Sequence, residues 1–419
     1  MRKIVICILM VLSLAVSTYA QENGAIEEAE KRKATIIHAG TLLAVAGEEP
    51  LYEQSIIIEE EKIVSVQDGY VSGDNDEVEI VDLKDKFVMA GLMDIHIHMA
   101  EGDLDNPDAN SADHAIMGVI NSRKVLMAGF TTVRDLGARD DTLYKIIEGI
   151  DNGEIVGPRI IPGGIIIGVG SRENGLECNG IESCRRTTRD MIRMGAEWIK
   201  IRSSCRGGQL CSNEDGAPIF FDEEIATIID VAKKYNVPVA THSHTRDSSL
   251  QVLKYDIQSL EHGTFMNEEA LDMMVEKGVY FVPTMSNLDE VGAQVEDPAA
   301  DPVYTQHRQK FLDRHPQIVL KAYRKGVKIA AGTDGDGRNA GTNYREIKWL
   351  VSTGIPISDA LKMATVNGAE LLAKTNELGT IEPGKFADII AMDENPLDEI
   401  KALENVSFVM KGGKIYKEE

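Results

Sequence analysis

The sequence predicts an α/β protein in which a (β/α)8 TIM barrel carries a small β-sandwich domain formed by the N- and C-terminal segments. Three observations predict this fold. The middle of the chain alternates short apolar runs with amphipathic helical patterns, as parallel βα units do. Polar residues follow nearly every apolar run, which is typical of a barrel mouth. Both ends of the chain are instead rich in short strands and turns.

Eight apolar runs in the middle of the chain are candidate barrel strands. They cover residues 87–98, 131–136, 159–167, 198–203, 239–244, 257–262, 280–283 and 328–334. Segments between them, such as 223–235, have the apolar spacing of amphipathic helices. A doubly wound open sheet is the alternative. It is disfavoured because chemically active residues fall at nearly every strand end, as in a barrel.

The two ends of the chain are expected to pair into one domain. Runs 35–37 and 55–58 near the N-terminus, and 387–391 and 406–410 near the C-terminus, have strand-like composition. The sequence Lys411-Gly412-Gly413-Lys414 is typical of a hairpin turn. We therefore predict a β-sandwich domain from residues 34–87 and 375–419, with the barrel over 88–374.

Residues 1–20 are predicted to be a signal peptide. Arg2 and Lys3 precede an apolar run over 4–16, and Thr18-Tyr19-Ala20 forms a cleavage site of the expected kind. The apolar run is short for a membrane span, although an uncleaved N-terminal anchor is the alternative. We expect a periplasmic or secreted protein with no membrane association after cleavage.

Charge and cysteine content narrow the functional class. A formal net charge of -24 argues against nucleic-acid binding, because such a chain cannot neutralise phosphates. Cys178, Cys184, Cys205 and Cys211 form two equally spaced pairs, and disulfides persist in exported proteins. Two short-range disulfides are the simplest interpretation, although four cysteines allow three connectivities. A zinc site built from four thiolates is the rival interpretation.

Metal-binding side chains follow several of the predicted strands. His96 and His98 are two residues apart, so both imidazoles can point to one face of a strand. A lysine within an apolar strand is costly unless it has a function. The full candidate set at the strand ends is His96, His98, Lys200, His242, His262 and Asp334. Imidazoles with a carboxylate suit zinc first, and also manganese or iron.

These motifs resemble those of the amidohydrolase superfamily. The matching segments are GLMDIHIH at 91–98, WIKI at 198–201, EHGT at 261–264, GTD at 332–334 and LGTIEPGKFAD at 378–388. The resemblance extends from about residue 34 to the C-terminus. It is similar in particular to the imidazolonepropionase-related branch, which includes Xaa-Pro dipeptidases and Xaa-Arg/Lys carboxypeptidases.

The resemblance implies two divalent metal ions, with zinc favoured. His96, His98 and Asp334 would hold one metal, His242 and His262 the other, and a carboxylated Lys200 would bridge them. Two such metals would lower the pKa of a bridging water and polarise the scissile carbonyl. Asp334 would be the catalytic residue that carries the proton to the leaving nitrogen. The implied reaction is cleavage of the amide bond of a dipeptide or an N-acyl amino acid.

His244 and Arg202 are the candidate substrate-binding residues. Arg202 shares a strand face with Lys200 and could meet a substrate carboxylate. His244 stands where many dipeptidase relatives have a tyrosine, and the turn over 168–174 lacks the histidine that relatives often show there. These departures leave the substrate open. The weaker candidates Arg206, Arg338, Glu173, Glu177 and Asp215 lie in loops near the predicted mouth.

Three alternatives stay open from sequence alone. A cyclic amide hydrolase or a deaminase of the same superfamily is the enzymatic alternative, and a mononuclear deaminase would lack the bridging lysine. An exported binding protein that has lost turnover is the non-enzymatic one. The expected partner is a small molecule or dipeptide, and a homo-oligomer is compatible with the sequence.

Overall fold

The computed structural model describes residues 34–73, 78–101, 109–169, 176–205, 216–337 and 339–419. The predicted signal peptide, residues 1–20, lies outside the described residues. Within those ranges, no helix combines the length and the hydropathy that a membrane crossing requires.

The elements alternate along the middle of the chain as predicted. The strands are β1 (Ala34–Leu43), β2 (Leu51–Glu59), β3 (Lys62–Asp68), β4 (Val78–Ala90), β5 (Leu92–Ile97), β6 (Phe130–Asp135), β7 (Arg159–Pro162), β8 (Ile167–Gly168), β9 (Leu176–Glu177), β10 (Ile199–Arg202), β11 (Val239–Ser243), β12 (Ser259–His262), β13 (Tyr280–Val282), β14 (Ile389–Met392), β15 (Val406–Lys411) and β16 (Lys414–Glu418). The helices are α1 (Ser111–Met127), α2 (Thr142–Asp151), α3 (Ile181–Met194), α4 (Asp222–Lys234), α5 (Arg246–Val252), α6 (Glu268–Lys277), α7 (Asn287–Glu296), α8 (Pro302–Lys325), α9 (Tyr344–Ser352), α10 (Ile357–Met363) and α11 (Val366–Leu371). A short 3-10 helix covers Ile400–Asn405.

The two ends of the chain meet in one seven-stranded sheet of order β16-β15-β14-β4-β1-β2-β3. The join is made by β14, which runs antiparallel to β4 with Ile389 opposite Ala90. Gly412 and Gly413 both have positive φ, 53° and 72°, as a two-residue hairpin turn requires. A separate apolar core that includes Ile37, Ile56 and Phe408 packs on this sheet. The sandwich arrangement itself stays a prediction.

The middle of the chain forms parallel sheets. One has the order β5-β6-β7 and the other β13-β12-β11-β10-β8-β9. The carbonyl of Pro162 in β7 accepts hydrogen bonds from the amides of Glu197 and Trp198, which precede β10. On the other side, segment 328–335 bonds to both sheets: Phe281 N donates to Lys328 O at 2.8 Å, and Asp334 N donates to His96 O at 2.7 Å. Hydrogen bonds therefore connect the two sheets in two places, between β7 and the residues before β10 and through segment 328–335.

Three predicted strands differ from the structure. Run 87–98 is divided at Gly91, because β4 continues to Ala90 in the terminal sheet and β5 begins at Leu92. A side chain at position 91 would collide with Thr131, so a glycine allows this close passage. Run 159–167 is divided into β7 and β8. Segment 328–334 is not a regular strand, because only single bridges form along it and just after it, from Ile329 to Phe281 and from Gly335 to Ile97.

The cysteines pair locally. Cys178 and Cys184 form a disulfide, with Cα atoms 4.3 Å apart, between the end of β9 and helix α3. Cys205 is also disulfide-bonded, and Cys211 lies outside the described residues. A zinc site of four thiolates is therefore wrong, since two of its proposed ligands are bonded to each other.

An ion pair links the barrel strands to the terminal sheet. Arg159 Nη1 of β7 lies 2.7 Å from Asp388 Oδ2, and Asp388 Oδ1 accepts the amide of Gly412 at 2.8 Å. Only 8% of the Asp388 side chain is exposed, so an unpaired guanidinium there is costly.

We predict that Asp388→Asn lowers the free energy of unfolding by about 2 kcal/mol, the loss typical of a hydrogen bond to a charged group. Urea titration followed by circular dichroism measures this. Lys145→Gln is the control, because the Lys145–Glu148 pair is well exposed and should leave the midpoint unchanged. An unchanged midpoint for Asp388→Asn would show that the pair does not hold the sheet to the barrel.

Candidate active site

The structure brings the predicted metal ligands together at the carboxyl ends of the parallel strands. His96 lies in β5, Lys200 in β10, His242 in β11 and His262 at the end of β12. His98 follows β5 directly, and Asp334 lies in the segment that joins the two sheets. All except His98 and Asp334 are buried, and these two are partly buried.

One carboxylate oxygen is the meeting point of the first group. Asp334 Oδ1 lies 3.2 Å from His96 Nε2 and 3.0 Å from His98 Nε2. Lys200 Nζ lies 3.2 Å from the same His96 nitrogen. The HxH spacing predicts that both imidazoles point to one face of the strand. The structure agrees, because both imidazoles converge on one oxygen of Asp334.

Three further imidazoles form a second group. The ring centroids of His242, His244 and His262 are 4.5–4.7 Å apart, and His244 stacks on His262 at 12°. Their ligand atoms lie within 4.8 Å of one another, as do those of a second set formed by His96, His262 and Asp334. The two sets share His262. His244, predicted to contact substrate, therefore also stands within reach of the second metal position.

The protonation of these side chains fits a divalent cation. Burial lowers the pKa of His242 and of His262 well below the ordinary value, and lowers that of His244 to about 3, so these imidazoles are neutral near pH 7. Burial opposes ionisation of Asp334, but His96 and His262 hold its pKa well below the usual range. Neutral imidazoles and an ionised carboxylate are the forms that bind metal.

His98 and Lys200 differ from this pattern. Burial opposes a charge on His98, but Glu101 and Asp334 raise its pKa to about 9. The site thus attracts a positive charge, which a divalent ion would supply in place of the proton. Burial lowers the pKa of Lys200 to about 8, so a substantial fraction of this amine is uncharged near neutral pH.

The backbone turns sharply where side chains enter the site. His262, Thr284 and Asp334 have φ angles of 71°, 55° and 57°, in the left-handed region that non-glycine residues rarely adopt. His262 Nδ1 and Thr284 Oγ1 are 2.9 Å apart, which stabilises one of these turns. Strained residues held by their surroundings cluster at functional sites.

A buried ion pair behind His96 was not predicted. Glu261 Oε2 lies 2.8 Å from His96 Nδ1, and Arg134 Nη2 donates to Glu261 Oε1 at 3.1 Å. Arg134 is fully buried over the ring of Trp198. Because Glu261 accepts the Nδ1 proton, Nε2 of His96 is free to bind a metal. The sequence signal is a pair of opposite charges inside two apolar strands.

Asn287 was also missed, and no spacing could have shown it. Its Nδ2 donates to Asp334 Oδ2 at 2.9 Å, so the two oxygens of Asp334 face different partners. Neighbouring Ser286 donates its hydroxyl to Thr333 O at 2.7 Å, and its amide donates to Glu346 Oε2 at 2.8 Å. These contacts fix the start of α7 against the carboxylate of Asp334.

Arg202 lies at the end of β10, opposite His242 in the parallel register. It is partly buried, and its charge contributes to the lowered pKa values of Lys200 and His242. Four of the weaker candidates, Arg206, Arg338, Glu173 and Asp215, lie outside the described residues. Glu177, in β9, is exposed.

Residues 87–416 match the model of the amidohydrolase family. The chain belongs to this family. An ochratoxinase from Aspergillus niger is 29% identical, over 94% of this chain and 88% of that protein. A 5-methylthioadenosine/S-adenosylhomocysteine deaminase from Thermoanaerobacter pseudethanolicus is 25% identical over 84% of this chain and 83% of that protein.

Solved structures give the same result for the fold. A Xaa-Pro dipeptidase with bound methionine in its active site is 32% identical, with a TM-score of 0.83 over 92% of this chain and 100% of that one. The A. niger ochratoxinase structure is 27% identical, with a TM-score of 0.80 over 93% and 96% of the two chains. The predicted family resemblance is therefore confirmed, and the protein is a hydrolytic enzyme that acts on C–N bonds. The binding-protein alternative is set aside.

We predict that Glu261→Gln weakens zinc binding by about 10- to 100-fold, because the carboxylate that orients His96 is lost. Competition with a chromophoric chelator measures the affinity. Glu224→Gln is the matched control, since Glu224 is also buried but caps the start of α4. Equal zinc affinity in both variants would contradict the orienting role.

Proposed function

We propose that this enzyme is a binuclear metal-dependent amidohydrolase that cleaves the amide bond of dipeptides or N-acyl amino acids. The observation that carries the proposal is the pair of ligand groups that share His262, with Lys200 and Asp334 beside them. A site for a single metal needs only one such group. Two adjoining groups, with a buried lysine beside His96, fit two metals and a bridge.

The proposed assignment follows the resemblance. His96, His98 and Asp334 would hold one metal, His242 and His262 the second, and Lys200 as a carbamate would bridge them. The low dielectric that depresses the pKa of Lys200 favours the neutral amine from which a carbamate forms. Zinc is favoured because nitrogen ligands predominate. When bound, the metals would supply hydroxide near neutral pH and polarise the scissile carbonyl.

The protein's own residues would then handle the proton. Asp334 is ionised, and its Oδ1 faces the histidines while its Oδ2 accepts from Asn287. It is therefore oriented to take a proton from the attacking water and deliver it to the leaving nitrogen, as general base and then general acid. His244, neutral and bonded to Thr264 Oγ1 through Nδ1, keeps Nε2 for the substrate.

Two relatives support the substrate class. Both the Xaa-Pro dipeptidase and the ochratoxinase are similar over nearly the whole chain. Because the chain is also similar to a deaminase, a deaminase or cyclic amide hydrolase activity is the second candidate function. Lys200 favours the binuclear hydrolase, since a mononuclear deaminase has no use for a buried bridging lysine.

Fold and location complete the proposal. We infer that the parallel strands close into an eightfold barrel through segment 328–335, because this segment hydrogen-bonds to β13 on one side and to β5 on the other.

The Cys178–Cys184 disulfide supports a periplasmic or secreted location, where such bonds persist.

The proposed reaction predicts hydrolysis within a panel of dipeptides and N-acyl amino acids that vary in the C-terminal residue. We expect at least one to be cleaved, with about two metals per chain by elemental analysis. Removal of metal with a chelator should abolish turnover, and added zinc should restore it. Turnover of none of the panel by the metal-loaded enzyme would contradict the substrate class, and one metal per active chain would contradict the binuclear site.

Asp334→Asn is predicted to lower kcat by about 10²- to 10⁴-fold, because the general base is lost. The variant should keep the wild-type circular dichroism spectrum, and kcat should be measured at saturating zinc to separate catalysis from metal affinity. Asp289→Asn serves as the control, since Asp289 bonds to Trp349 and Arg345 rather than to the site. A kcat within tenfold of wild type for Asp334→Asn would exclude the assigned role.

A further inference from the structure

We propose that Arg308, on helix α8, binds the carboxylate of the substrate and sets the preference of the enzyme for acidic substrates such as dipeptides with a free C-terminus. This inference rests on the proposed function and adds a residue to it. Arg308 belongs to no sequence motif, because the helix that carries it, α8, is separate in sequence from the segments that hold the candidate ligands.

One face of α8 turns toward the mouth of the barrel. Tyr304, Arg308, Phe311 and His315 follow helical spacing, and their side chains leave the helix within about 60° of one another. The other residues nearby, such as Gln309 and Lys310, are exposed on the opposite side. The four residues therefore form one stripe along the helix.

Two members of the stripe contact the site directly. His315 is fully buried, and its Nε2 donates to the carbonyl of Pro283, at the end of β13, at 2.7 Å. Phe311 lies 5.3 Å from the ring of His315 and 6.1 Å from the ring of His244. The stripe thus rises from a strand end, past His244, toward the N-terminal end of α8.

Arg308 is the next member of that stripe, about 4.5 Å further along the helix axis than Phe311. It lies about one helical turn beyond Phe311, on the face of α8 that carries the ring contact with His244, so a substrate held at the histidines would reach it by extending along this face. An extended arginine side chain is longer than this step of about 4.5 Å along the helix axis.

The guanidinium of Arg308 lacks a counter-charge. It stacks on the ring of Tyr304, at 3.8 Å from Cζ to the centroid, and contacts the Tyr304 hydroxyl. Its Nε is buried without a hydrogen-bond partner, and no carboxylate among the described residues forms an ion pair with it. In a chain with a net charge of -24, a half-buried arginine without an acidic partner is unexpected.

A carboxylate ligand explains this arrangement. The planar guanidinium offers several donors in a fixed geometry that matches two carboxylate oxygens, and stacking on Tyr304 holds its plane. A substrate carboxylate would supply the counter-charge that no carboxylate among the described residues provides. Arg202 lies opposite His242 in the strand register and beside Lys200, so it would meet the reacting amide rather than the far end of the substrate.

The test compares one dipeptide, the best substrate of the wild-type enzyme, with its C-terminal carboxamide. The carboxamide keeps the shape but removes the charge. For Arg308→Gln, we expect kcat/KM for the acid to fall about 100-fold, chiefly through KM, while kcat/KM for the carboxamide changes less than threefold. Arg308→Lys keeps the charge and should retain part of the acid preference.

Lys310→Gln is the matched control, because it removes an exposed positive charge from the same helix. It should leave the ratio of acid to carboxamide unchanged. Thermal unfolding and metal content, measured for each variant, separate loss of recognition from loss of structure.

Two results would overturn the inference. An equal loss of kcat/KM for the acid and for the carboxamide in Arg308→Gln would contradict the role of Arg308. A changed acid-to-carboxamide ratio in Arg202→Gln, with an unchanged ratio in Arg308→Gln, would also contradict it. Either result would leave the proposed dipeptide hydrolysis intact. If the wild-type enzyme cleaves no dipeptide at all, the proposed dipeptide substrate itself is overturned, and with it any carboxylate recognition.

Discussion

The carboxylate of Asp334 accepts contacts from His96, His98 and Asn287, and most of the surrounding structure keeps these groups in place. A concentration of buried polar groups is unfavourable unless each has a partner. Further buried groups meet this requirement. His96 is held by Glu261, which is held in turn by Arg134.

This dependence extends outward through the fold. Asp94 illustrates it, because its Oδ2 accepts from the Thr333 hydroxyl and from Asn343 at 2.6 and 2.7 Å. Thr333 precedes Asp334, so a carboxylate in β5 fixes the segment that carries Asp334. The left-handed backbone at Asp334 and His262 is tolerated only because such contacts determine it. Residues far from any substrate therefore decide the geometry of the site.

The sequence predicts which side chains converge at the site better than it predicts the residues that support them. The convergence of the candidate ligands could be expected because they occupy the ends of apolar runs, and such runs are local patterns. These candidates are His96, His98, Lys200, His242, His262 and Asp334. Glu261 and Asn287 act through partners that only the fold brings near. The same holds for the strand boundaries: the division at Gly91 depends on the approach of Thr131, which no pattern within residues 87–98 shows.

Recognition of the substrate is the part least visible in the sequence. Arg308 lies more than a hundred residues from Lys200 and belongs to no motif. Its assignment depends on a helix face, on two ring contacts and on a missing counter-charge, all of which are three-dimensional facts. In the proposed function, the family motifs account for bond cleavage, whereas a helix outside those motifs selects the substrate.

The pairing of β14 with β4 has a consequence for how the protein matures. The strand that leads into β5, and so to His96, completes its hydrogen bonds only when residues near 390 are available. Domains usually form from the N-terminus while synthesis proceeds. Here one edge of β4 stays unpaired until the last part of the chain has been made, so a chain cut short before β14 would expose the backbone groups that β14 pairs.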